Sequence, residues 1–195
     1  LMQQAHTPLP APVSGHRKGS DGILGGLIVF VHETLSLSPN QLSTIGFAVG
    51  IAAAAMVAFG FLVPGLAVMA LSQVIDGLDG GVARRYGLQS ARGQMLEVIF
   101  DRLNELAMFL ALVAAGRVTL FMAILACVAI LLVTLIEPMS KFDPGFKRFM
   151  IYFGYLVTVL FSVEGFQIAM HVIFLANLAG FVIGTILVDY RFQAE

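Results

Sequence analysis

Long apolar runs constrain this chain more than any other feature. Residues 118–136 read VTLFMAILACVAILLVTLI, with no Asp, Glu, Lys or Arg among them. Several other segments approach or exceed the roughly 20 residues an α-helix needs to cross a bilayer. Of the 195 residues, 58% are hydrophobic and only 12% charged. A soluble domain carries about twice that charge fraction, and the mean hydropathy is +0.91. The chain therefore reads as all-α and integral to the membrane. A net charge of −1 gives no electrostatic case for nucleic acid. The single cysteine, Cys127, excludes an internal disulfide and cannot by itself build a cysteine metal cluster.

Breaks containing glycine, proline or charge divide the apolar sequence. Residues 1–21 are polar and proline-containing and read as a tail. Residues 22–37 are apolar but short for a span, and read as an interfacial amphipathic helix. Residues 38–192 then hold six expected spans, at about 40–59, 62–86, 93–115, 118–140, 147–163 and 166–190. SPNQLST, residues 38–44, opens the first, with Ser38 or Asn40 as cap and Pro39 in the first turn. The basic residues Arg84, Arg85, Arg92, Lys141, Lys147, Arg148 and Arg191 fall on one side and Arg117 alone on the other. The positive-inside rule places the first group, and both termini, in the cytoplasm.

Against this background the stretch DGLDGGVARRYGLQSARGQMLEVIFD, residues 76–101, gathers four carboxylates and three arginines, with Arg102 following directly. Asp76 and Asp79 are three apart, and Glu97 and Asp101 four apart, so each pair shares a helix face. Two antiparallel helices joined by a short turn are expected to bring the pairs together. Four converging carboxylates repel one another unless protonated or neutralised. Divalent cations with oxygen ligands resolve the conflict, and Mg²⁺ favours such ligands together with phosphate oxygens. Two ions about 4 Å apart can activate an attacking oxygen and hold the phosphate it attacks. Gly77, Gly80, Gly81 and Ala83 leave room for close approach, and Arg84 can hold a diphosphate through paired hydrogen bonds. The plainer alternative is a set of helix-end acids, solvated or paired with Arg84, Arg85 and Arg102.

The pattern Asp76-x2-Asp79-Gly80-x2-Ala83-Arg84-x8-Gly93-x3-Glu97-x3-Asp101 resembles the signature of the CDP-alcohol phosphotransferases, D-x2-D-G-x2-A-R-x8-G-x3-D-x3-D. Seven of its eight defined positions match. SPNQLST also resembles that family's TPNxLT segment. The resemblance implies a phospholipid-synthesis enzyme in which an alcohol hydroxyl attacks the β-phosphorus of a CDP-linked lipid donor, CDP-diacylglycerol foremost, and CMP leaves. It implies Mg²⁺ or Mn²⁺, two ions per site, held by Asp76, Asp79, Glu97 and Asp101, with Asp101 also the base. It places Asn40, Gln41, Asp76, Gly80, Ala83, Arg84 and Ser90 at the CDP group, and it suggests a homodimer. The third family aspartate is Glu97 here, one methylene longer. That departure fits either a retuned metal ligand or a homologue that binds donor and metal but turns over poorly.

Family members with a phosphorylated acceptor carry a basic pocket beside the site. Lys141, Lys147, Arg148 and Arg191 are the candidates. Arg148 resembles the arginine ending the ERPER-like segment of phosphatidylinositol-phosphate synthases, although DPGFKRF lacks the rest of that segment. These same residues also read as ordinary positive-inside charges.

Overall fold

A computed structural model describes residues 23–194, with side chains described for residues 25–190. The expected polar tail, residues 1–21, and the Arg191 side chain lie outside the described residues. The described chain is helical throughout. It comprises α1 (Ile23–Val29, running on into a π-helical turn, Phe30–Thr34), α2 (Pro39–Ala58), α3 (Leu62–Arg85), α4 (Ala91–Ala114), α5 (Leu120–Ser140), α6 (Lys147–Phe161) and α7 (Gly165–Ala194).

Local chemistry sets the helix starts. Ser38 caps α2 in a reciprocal box: Gln41 N–H donates to Ser38 Oγ at 3.3 Å and Ser38 N–H to Gln41 Oε1 at 2.9 Å, with Pro39 in the first turn. Ser90 caps α4 by accepting from Gly93 N–H at 3.0 Å, and Thr119 caps α5. The α5–α6 loop is bracketed by two non-glycine residues in left-handed conformation, Lys141 (φ 59°) and Phe146 (φ 45°). Inside that loop Lys147 Nζ reaches both oxygens of Asp143, at 2.8 and 3.0 Å.

Four helices, α2, α3, α5 and Gly165–Tyr190 of α7, are long and apolar enough to cross a membrane. The other two expected spans fall short for identifiable reasons. The first two-thirds of α4 carries Arg92, Glu97, Asp101, Arg102 and Glu105. With its 15 residues, α6 is about 22 Å long, less than the roughly 30 Å of hydrocarbon. Large apolar side chains point outward from the bundle, Leu135 at 73% exposure being an extreme case, as suits a lipid-facing surface.

Small residues let the helices meet, as expected where lipid removes the hydrophobic drive between them. The core runs from Ala53 and Val57 of α2 through Leu66, Phe109, Leu112 and Ala126 to Met170 and Ile173 of α7. At the centre α2 packs closely on both α3 and α4, whereas α3 and α4 barely touch each other. Gly46 faces Ile75 of α3, and Ser72 Oγ donates to the Gly46 carbonyl at 2.8 Å. A Cβ at Gly50 would lie 2.5 Å from Asn104 Oδ1 of α4, and Phe47 stacks on Phe100 with ring centroids 4.6 Å apart. The short turn therefore does not zip α3 to α4, as the antiparallel reading of the sequence anticipates. It splays them across α2, and the space between them is a cleft.

Candidate functional site

The cleft, of about 120 Å³, opens where the capped start of α2, the end of α3 and the start of α4 meet. Asn40 and Ser43 line it from α2, Asp79, Gly80, Ala83 and Arg84 from α3, Ser90 from the turn, and Gly93 and Glu97 from α4. At Gly80 a Cβ would lie 3.0 Å from Arg84 Nη1, so the guanidinium folds back over the glycine. At Gly93 a Cβ would lie 3.3 Å from Asn40 Oδ1, so the absence of a side chain lets α2 approach α4.

The four acids divide into two levels. Asp79 and Glu97 line the cleft. Asp79 is 3% exposed; its Oδ2 accepts a short hydrogen bond from the Ser43 hydroxyl, and its Oδ1 is buried without a partner. Asp76 and Asp101 are joined by Arg148, the second residue of α6. Arg148 Nη1 donates to Asp76 Oδ2 at 3.1 Å and Nη2 donates to Asp101 Oδ1. All four carboxylates lie within electrostatic reach of one another, Asp76 being opposed by both Asp101 and Asp79, and Glu97 by both Asp76 and Asp101. Among the described residues, however, no three acids, histidines or cysteines are already drawn in to the spacing of a metal cage.

The other candidates separate. Gln41 is engaged in the α2 cap and does not line the cleft. Lys141 caps α5 at the exposed surface. Lys147 is buried and committed to Asp143. Burial opposes the Asp143 charge, but the Lys147 hydrogen bond and the Gly145 N–H outweigh it and hold that carboxyl below its ordinary range. Among the described basic residues beyond α3 and α4, Arg148 is the one placed against the acids. Ser43 is absent from the expectations. Its signal was available, since it lies three residues after Asn40 on the same face of α2.

Behind the cleft, α1 packs on the end of α3. Ile28 fills the space a Cβ at Gly81 would need, 2.6 Å from its Cδ1. Tyr86 donates to Glu33 Oε1 at 2.7 Å, and its ring packs at a tilt of 44° against His32. Burial and the adjacent carboxylate raise the Tyr86 phenol above its usual value.

A helical bundle with apolar outer faces, and a cleft lined by acids, small residues and arginine, defines a membrane-embedded class of phosphate-handling site. The family model for CDP-alcohol phosphatidyltransferase matches residues 36–183, and the chain belongs to that family. Archaetidylinositol phosphate synthase of Methanothermobacter thermautotrophicus is 34% identical over 111 residues, 57% of this chain and 57% of that protein; the matched stretch thus spans little more than half of the relative. Among solved structures, phosphatidylinositol phosphate synthase (PgsA1) of Mycobacterium tuberculosis with CDP-DAG bound superposes with a TM-score of 0.72 at 19% identity, covering 85% of this chain and 93% of that one. The same enzyme in complex with manganese and citrate gives 0.71 at 19% identity, covering 85% and 88%. At that identity the likeness is one of fold.

Proposed function

We propose that this chain is a CDP-alcohol phosphatidyltransferase of phospholipid synthesis that joins an alcohol to the β-phosphorus of a CDP-linked lipid, CDP-diacylglycerol foremost, with release of CMP. One observation carries the reading: Asp79, Gly80, Ala83, Arg84, Gly93 and Glu97, all positions of the sequence signature, line a single cleft. A relative that is an archaetidylinositol phosphate synthase and a structural neighbour with CDP-DAG bound agree with it.

The residues fit divalent cations. The donors are hard carboxylate oxygens, and Asp79, which lines the cleft, keeps a buried Oδ1 without a partner. Asp76, Asp79, Glu97 and Asp101 would hold Mg²⁺ or Mn²⁺, two ions in the full arrangement; a neighbour of the same fold was solved in complex with manganese and citrate. Bound there, the metal would offset phosphate charge and lower the barrier to attack. Arg84, Asn40 and Ser90 orient the CDP group, with Gly80 and Ala83 giving it room. Asp101 takes the proton of the acceptor hydroxyl as its oxygen bonds to phosphorus and the bond to CMP breaks. Arg148 lies where an acceptor carrying phosphate would be met; Lys141 and Arg191 are weaker candidates.

In this reading residues 38–192 form six membrane crossings behind an interfacial α1, with the cleft and both termini cytoplasmic, as the basic-residue distribution favours. A homodimer is the expected assembly. Purified protein with cytidine-labelled CDP-diacylglycerol should release CMP only with a suitable alcohol and only with Mg²⁺ or Mn²⁺. CMP release undiminished in chelator, or none with any of a broad alcohol panel, overturns this. Donor binding without turnover would instead support the weakened homologue that Glu97 raises.

A further inference from the structure

Arg148 and a divalent cation would claim the same oxygens. Its guanidinium spans from α3 to α4, donating to Asp76 Oδ2 and to Asp101 Oδ1. The Arg148 side chain is only 16% exposed, against 29% and 28% for the two acids. A cation ligated by those oxygens at about 2.1 Å leaves no place for a second positive group hydrogen-bonded to them.

The released arginine has nowhere inward to go. The cavity beneath it, between Gly50, Asn104 and Ile151, measures about 20 Å³, room for roughly one water. Outside the four signature acids, the neighbouring carboxylates are already paired. Glu105, the further acid that acts on Arg148, is held by Arg102 at 2.6 Å, and Asp143 is held by Lys147.

We propose that Arg148 is an exchangeable counter-ion: cation binding at Asp76 and Asp101 expels its guanidinium toward the cleft, where it becomes an unpaired cation for an anionic, phosphate-like group. The inference rests on the metal role of those acids proposed above. Metal and anion then favour each other's binding, and the coupling is reciprocal. The arginine also balances two half-buried like charges until the cation arrives, so the fold tolerates them.

Mn²⁺ titration of the purified full chain in detergent, followed by electron paramagnetic resonance with and without inorganic phosphate, tests this. Wild type should bind Mn²⁺ several-fold more tightly with phosphate present. Arg148→Met should bind Mn²⁺ about tenfold more tightly than wild type without phosphate, within the usual range of such coupling, and phosphate should have no further effect. Arg148→Lys keeps a charge but cannot bridge two carboxylates with one fork; it should lie between the two, and it carries the test if the methionine variant does not fold. Equal or weaker Mn²⁺ binding in the variants, or a phosphate effect that persists without Arg148, overturns the exchange. Absence of Mn²⁺ binding in every protein overturns the proposed function itself.

Discussion

Ser43 of α2 donates its hydroxyl to Asp79 of α3, tying the helix that floors the cleft to one of its acids. Ser43→Ala should leave Asp79 without its hydrogen-bond donor. The expected cost is about 1–3 kcal/mol of stability, together with a higher Mn²⁺ requirement for turnover. Ser43→Thr should keep most of both. Thermal melts and metal titrations of the two variants check this, and identical behaviour would reduce the contact to packing.

Asp101 is the proposed base. Asp101→Asn should lower turnover on the order of 10³-fold or more, because acid–base and metal effects are lost together. Single-turnover CMP release is the measurement, and near-normal rates would make Asp101 no more than a counter-charge for Arg148.

Glu97 departs from the family pattern. Glu97→Gln should cost far more activity than Glu97→Asp, since only the latter keeps the charge. A rise in turnover with aspartate marks the natural protein as a weakened member. Abolished activity with aspartate marks a site retuned around the longer side chain. Equal behaviour of all three removes Glu97 from the metal site.

Gly65 seats α3 against α2: a Cβ there would lie 2.6 Å from Val57 Cγ2 and 3.0 Å from the Ala53 carbonyl oxygen. Gly65→Ala should destabilise by about 1–3 kcal/mol through overpacking. Gly77 has nothing within 4 Å of such a Cβ, so Gly77→Ala should hold or gain up to about 1 kcal/mol from helix propensity. Melting temperatures in one detergent compare them.

The Asp143–Lys147 pair makes stability depend on acid pH. The Asp143 carboxyl is held below its ordinary range, so its contribution is complete above the unfolded value of about 3.9 and fades as pH falls through the folded value. Asp143→Asn strands the buried Lys147 ammonium and should cost about 1–3 kcal/mol near neutrality. The gap in melting temperature between wild type and variant should close as pH drops below about 4. A gap that widens there would contradict the sign.

The helices were legible because breakers stand where the apolar runs stop and Ser38 opens α2 as its position implies, whereas the Ser90 and Thr119 caps of α4 and α5 went unread. The cleft was legible through the fixed spacing of Asp76 to Asp101. What spacing does not encode is which helices touch. The small residues Gly46 and Gly50 give α2 the central place, and that emerges only when Ile75 and Asn104 are seen against them. For the same reason Ser43 and the Arg148 bridge went unforeseen. Both join residues more than thirty positions apart, from helices whose relative rotation no local pattern sets.

The reciprocal box between Ser38 and Gln41 bears on how such genes are surveyed. Because Gln41 is occupied in starting a helix, selection on this stretch acts through folding whether or not any lipid is made. A match to that stretch alone therefore reports a helix beginning as well as the Asn40 and Ser43 wall of the cleft, and the chemistry has to be read from positions 76 to 101 beside it.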